Sequence, residues 1–173
     1  GNVTLIVIPD TVNRNVFNPF QPRVSTAYLN RVDTYLSNLN THHANVHVEN
    51  PSYEELEVSL KVKFNEGLDE TIYLDQLNDD IIRFLSPWAF DETKQVDFGK
   101  TLHISVLINY LEKLNYIDYL QDVSMSVAGG PALTEYTPST PKAIMVSVKE
   151  HTISTDIITC EPLTAIITEE CQQ

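Results

Sequence analysis

The chain has 173 residues, 42% of them hydrophobic, and a formal charge of −13 from 24 acidic against 11 basic side chains. That composition supports an ordinary globular core and excludes a disordered chain. The charge repels nucleic-acid phosphates and anionic membrane surfaces, and no stretch approaches the roughly 20 consecutive apolar residues that span a bilayer. Without a starting Met, and with Gly1 running almost directly into a strand-like segment, the chain reads as an excised piece of a longer protein, Gly1 being a cloning remnant. Cys160 and Cys171, both near the C-terminus, cannot frame a domain of this size and are expected to stay reduced.

Val3 to Ile8 is a continuous apolar, β-branched run and predicts a buried strand. Residues 10–23 carry Asn and Pro without a period and predict a loop. Ser25 can cap a helix reaching Leu39, with Tyr28, Leu29, Val32, Tyr35, Leu36 and Leu39 recurring at three and four. A short strand follows over Asn45 to Glu49, then turn chemistry at Asn50-Pro51-Ser52. The clearest pattern is strict alternation. Leu56, Val58, Leu60, Val62 and Phe64 alternate with polar residues, which predicts a strand with one buried and one wet face. Asn65-Glu66-Gly67 ends it.

Helical spacing resumes at Ile72, Leu77, Ile81 and Leu85, and Pro87 stops that helix near Leu85. A further helix fits Ile104 to Leu114, closing at Asn115, and residues 116–127 read as a strand. Residues 129–141 form a Gly- and Pro-rich loop, and Ile144, Val146 and Val148 alternate as a strand. Residues 151–168 hold two short β-favouring runs, read as a hairpin or arm with an acidic end. The order implies an α+β fold: a mostly antiparallel sheet with helices on one face, a split β-α-β or ferredoxin-like core, and a C-terminal β extension. Residues 1–128 would be the core and 129–173 the extension, docking on a neighbouring subunit.

Catalytic signatures are missing. The five glycines, at 1, 67, 99, 129 and 130, build no phosphate loop, dinucleotide fingerprint or nucleophile elbow. His43 and His47 could share a metal on a helix. On a strand they sit on one face about 13 Å apart, and a solvated loop is the plainer account. Glu66, Asp69, Glu70, Asp75, Asp79 and Asp80 could supply a carboxylate pair, but capping and helix-dipole complementarity explain them better. No catalytic residue, metal or cofactor is therefore expected. Trp88 and Phe90, with Phe84 and Leu85, form the most aromatic patch, open to three readings: core packing, an interface, or a stacking platform for a sugar or base. Trp88, Phe90 and Tyr136 are the candidate interaction residues.

Several pieces recur in a recognisable order: Asn50-Pro51-Ser52-Tyr53 before the alternating strand, Phe64-Asn65-Glu66-Gly67-Leu68-Asp69, Phe84-Leu85-Ser86-Pro87-Trp88-Ala89 and Phe98-Gly99-Lys100. Ile104-Ser105-Val106-Leu107 with Leu111-Glu112 follows, then Tyr116-Ile117-Asp118-Tyr119. This succession, over residues 3–127, resembles the C-terminal region of baseplate J-like proteins, wedge components of contractile phage tails and related injection systems. The resemblance implies a non-enzymatic assembly domain in a homo- or hetero-oligomeric particle, with other baseplate wedge and hub proteins as partners and neither nucleic acid nor membrane among them. It also implies a cytoplasmic stage during assembly. The alternatives are a glycan- or peptide-binding module centred on Trp88, and a hydrolase with an acidic site.

Overall fold

A computed structural model describes residues 1–10, 18–39, 45–91 and 93–155. The elements run β1 (Asn2–Ile6), α1 (Thr26–Leu39), β2 (Asn45–Glu49), β3 (Ser52–Phe64) and α2 (Glu70–Leu85). A 3-10 turn (Pro87–Ala89), β4 (Leu102–His103), α3 (Ile104–Leu111), β5 (Ile117–Val127), β6 (Glu135–Tyr136), β7 (Ala143–Ser147) and β8 (Thr152–Ser154) complete the order. The α+β class holds.

β3 is the spine. Its alternation places Leu56, Val58, Leu60, Val62 and Phe64 together in the core, all buried, as the period of two requires. Leu77, Ile81 and Leu85 of α2 and Leu107 and Leu111 of α3 join the same cluster, so both helices cover one face of the sheet. Asp69 starts α2 by accepting from the N–H groups of Thr71 and Ile72, at 3.0 and 3.4 Å, and Gly67, at φ +86°, makes the turn before it. α2 stops at Leu85 before Pro87, as expected, whereas α3 ends at Leu111, short of the predicted Asn115.

The central sheet is mixed rather than mostly antiparallel. β5 lies antiparallel to one edge of β3. β7 and β8 both lie parallel to β3, meeting it at 52–56 and 59–61. β3 and β5, the strands flanking α2 and α3, are direct antiparallel neighbours, which differs from the expected split β-α-β, ferredoxin-like order. The long connections explain the difference: a strand returning after many residues is free to enter either way, and only a tight hairpin dictates antiparallel pairing. β7 is buried at four of its five residues, the pattern of a covered strand. Of the extension expected over 129–173, β7 and β8 thus add to this sheet, and residues 156–173, with Cys160 and Cys171, lie outside the described residues.

Between β7 and β8 the edge of β3 would leave the Val58 N–H unpaired. His151 fills that place: its Nδ1 accepts from Val58 N–H at 3.1 Å. Helix α2 stitches the same turn. Asn78 accepts from His151 N–H at 2.9 Å and donates to the Lys149 carbonyl at 3.1 Å, and the Ser86 hydroxyl accepts from Ser147 N–H at 2.9 Å.

β1 and β2 form a separate parallel pair, Asn2 opposite Asn45 through Ile6 opposite Glu49, with α1 as the crossover. Here the sequence expectation needs correction. β1 exists but is not buried, and no residue of α1 is buried. Ser25 caps α1 as predicted, its Oγ lying 3.4 Å from Tyr28 N.

Candidate interaction surfaces

Two surfaces stand out. The first is the β1-α1-β2 layer. Val3 (52% exposed), Leu5 (41%), Tyr28 (52%), Tyr35 (64%) and Leu39 (67%) all reach solvent. A two-stranded pair with one helix has too little area to bury both its own faces, so this apolar surplus follows from the layer's size.

A short brace ties the layer to the body. The Asn50 side chain accepts from Val24 N–H at 2.8 Å and donates to Val24 O at 3.0 Å, copying a strand partner. Tyr53 donates to Pro22 O at 2.7 Å, and burial pushes its hydroxyl up to about 12 against the opposing charge of Arg23. Lys142 reaches Glu49 at 2.6 Å. Phe90 belongs to this brace: its ring lies 6.1 Å from that of Phe20, with the Arg83 guanidinium 5.2 Å from its centre.

The second surface is a groove beside Trp88. A cavity of about 250 Å³ is lined by Trp88, Phe84 and Leu85, by Val106 of α3 and by Ile144 and Met145 of β7. A more open hollow of about 580 Å³ adjoins it, sharing Phe84, Pro87, Gln95, Asp97 and Lys100 and adding Arg83, Lys94 and Tyr110. Trp88 is half-buried. The three nominated interaction residues therefore do not form one patch: Trp88 lines the groove, Phe90 holds the brace, and Tyr136 is buried.

Tyr136 donates to the Glu54 carboxylate, which also accepts from the backbone N–H of Ser139 at 3.1 Å and from its hydroxyl. Burial opposes ionisation of Glu54, but these hydrogen bonds outweigh it and hold the carboxyl below its usual range. The Tyr136 hydroxyl is pushed well up, by burial and then by Glu54. This node pins the 134–140 loop to β3.

Of the acidic residues around α2, Asp69 and Glu70 sit at its N-terminus as the capping account expects, whereas Asp75, Asp79 and Asp80 lie further along the helix. Asp69 is the cap, Glu66, Glu70, Asp75 and Asp79 face solvent, and Asp80 accepts from Tyr116 at 2.6 Å. Burial first, then Asp80, drives the Tyr116 hydroxyl well above its ordinary value. His47 is an exposed residue of β2, 3.8 Å from Glu49, and His43 lies outside the described residues. Among the described residues no three His, Cys, Asp or Glu side chains converge as metal ligands.

Ser147 and His151 make a Ser–His contact of 2.9 Å that sequence reading missed. Its polarity is wrong for a nucleophile. Nδ1 accepts from Val58 N–H, so Nε2 carries the proton and donates to Ser147 Oγ, while Ser147 donates to Val148 O at 2.8 Å. Ser147 is also buried, and burial pulls the imidazole down to about 4, with Glu57 opposing. The pair serves the sheet edge.

The family model of the PVC11-like baseplate proteins matches residues 1–141. The chain belongs to that family. A chain in the cryo-EM structure of the anti-feeding prophage (AFP) baseplate, 6-fold symmetrised, superposes with a TM-score of 0.63 over 84% of this chain at 20% identity, a likeness of fold. This chain spans 29% of that one's length. No curated protein matches. In this PVC11-like baseplate protein the matched range takes in the β1-α1-β2 layer, the brace apart from Lys142 and most of the groove lining, and stops before β7 and β8. No helix among the described residues is long and apolar enough to cross a membrane.

Proposed function

We propose that this chain is an assembly domain of a J-like wedge subunit in the baseplate of a contractile tail-like particle, acting through protein–protein contacts and without catalysis. The carrying observation is the exposed apolar side of β1 and α1, within the family-matched range. Five large apolar side chains exposed on one small layer are unusual for a free surface and ordinary for an interface. Its partners are neighbouring wedge and hub proteins, met in the cytoplasm as the particle forms. With a charge of −13, neither nucleic acid nor an anionic membrane is among them.

The test is incorporation. A double variant, Tyr35→Ser with Leu39→Ser, should leave the purified protein folded with an unchanged Tm, yet be depleted from particles purified from cells that produce the full-length subunit. Normal incorporation would remove the interface from this face.

A division at 128/129 belongs to the same proposal: 129–155 completes the sheet, and 156–173, which carries Asp156, Glu161, Glu169 and Glu170 and no basic residue, contacts a neighbouring subunit. Hydrogen exchange across 156–173 should slow on assembly. Equal rates in free and assembled states would confine the contacts to the folded body.

A further inference from the structure

We propose that the outer edge of β1 receives an extended strand from a neighbouring baseplate subunit, which pairs with the main chain of Thr4 and Ile6 and continues the β1-β2 sheet. The inference rests on the preceding reading of the β1-α1 face as an interface and names the element that meets it there.

Hydrogen-bond parity fixes which main-chain groups are open. Asn45 N–H donates to Gly1 O at 2.8 Å, and Val7 N–H donates to Glu49 O at 3.0 Å. In a parallel pair, alternate residues of a strand turn their N–H and C=O groups to the same neighbour. Residues 1, 3, 5 and 7 therefore face β2. The main-chain groups of Thr4 and Ile6 point the other way, where no strand lies among the described residues.

Burial falls off toward that edge. Val3 stands opposite Val46 and Leu5 opposite Val48, so the four share one face. α1 packs on β2, and Val48 is 7% exposed, whereas Leu5 and Val3 on the neighbouring strand reach 41% and 52%. Parallel sheets are normally covered on both faces and rarely stop at two strands. A third strand beyond β1 would flank Val3 and Leu5 with its own apolar side chains. Polar ones would alternate with them, on the face of Thr4 and His47.

The other long edge strand shows how this chain guards an edge. β5 carries two register shifts against β3, and Asp118 and Asp122 sit at them, paired with Lys63 and Lys61 at 3.6 and 2.8 Å. Bulges and charges are the usual defences against strand addition. β1 has neither: its register with β2 is unbroken, and Asn2 to Ile6 carry no charged side chain. Such an edge accepts an alternating strand through main-chain pairing, and a charge of −13 on each chain disfavours a second copy as the donor.

Hydrogen exchange, followed residue by residue in the free chain and in particles containing the full-length subunit, tests the pairing. The Thr4 and Ile6 amides should exchange faster than those of Leu5 and Val7 in the free chain, and slow at least about tenfold on assembly. Thr4→Pro tests the same edge by incorporation. Proline is tolerated in an edge strand where its missing N–H would face outward, so the melting temperature should hold. The variant should nonetheless be depleted from particles at least about tenfold, while Thr4→Ala, which keeps the N–H, enters normally. Should the proline lower stability, the exchange measurement, which needs no variant, decides.

Thr4 and Ile6 amides already slow in the free chain, or unchanged on assembly, would overturn the proposal. So would normal incorporation of Thr4→Pro, or equal depletion of Thr4→Ala. A dimer of the free chain that Thr4→Pro dissociates would give the edge to a second copy and overturn the partner. Normal entry of Thr4→Pro beside depletion of the Tyr35 and Leu39 double variant removes the added strand and leaves the interface reading intact. Depletion of Thr4→Pro alone keeps the strand and removes the α1 part of that interface, so the two readings fail separately.

Discussion

Helices α1 and α2 are written alike and end differently. Both repeat apolar residues at three and four, and both start at a capping residue. Yet α2 buries Leu77, Ile81, Ile82 and Leu85, with Leu77, Ile81 and Leu85 in the core cluster built on β3, and α1 buries nothing. The difference lies in what each faces. α2 meets a 13-residue strand whose neighbours extend the apolar sheet, while α1 meets a pair of five-residue strands. An amphipathic stripe states that a face needs a partner and is silent on whether the chain itself supplies it.

That comparison can be broken by mutation. Leu60→Ala, at a position 2% exposed on the α2 side, should cost about 2–5 kcal/mol in urea unfolding. Tyr35→Ala in α1 should stay within about 0.5 kcal/mol in the isolated protein. Similar losses at both sites would mean that the α1 layer is part of the core.

The next effect sharpens the comparison by pH. His151 is held near 4 in the folded chain, below its ordinary 6.5, chiefly by burial. Between those values the unfolded chain takes up a proton that the folded chain refuses. Stability from this site is therefore full above about 6.5 and lost as pH falls toward 4, by roughly 3 kcal/mol. His151→Gln, which keeps an acceptor for Val58 N–H, should flatten that slope, leaving the carboxylates to act lower down. An unchanged slope would exclude His151 as its source. The smallest effect falls on the α1 side. The Tyr35 and Leu39 double variant should be indistinguishable from the parent in unfolding and visible only in the assembled particle.

Much of the α2 side was legible. The ten-residue alternation of β3 determines its buried face, because a slip of one residue would expose all five side chains. Pro87 marked the end of α2, and Asp69 its cap. The β1 run misled for a definable reason. Continuous apolar sequence marks surface that avoids water, and a strand awaiting a partner reads the same as one buried in a sheet. The parallel entry of β7 and β8 was not legible, since pairing direction depends on distant residues. For the surfaces, Trp88 was found by its aromatic neighbours. Lys94 and Lys100 were not, because cations separated from Arg83 along the chain converge only in space. His151 looked like any isolated histidine, and only the gap it fills on β3 gives it a role.

The shared edge of β3 also sets an order of synthesis. β3, α2, α3 and β5 follow one another within residues 52–127 and can condense as soon as that stretch leaves the ribosome. The opposite edge must wait for β7 and β8, and the His151 contact that closes it spans 93 residues. Until then the nascent chain carries its longest strand with one side open, the condition under which strands pair with the wrong chain. Loop-closure cost makes this last addition slow compared with the helices. A chain cut short before Ala143 would keep nearly all of its apolar core and still lack the strands that keep β3 from a neighbour, so its failure would be aggregation rather than unfolding.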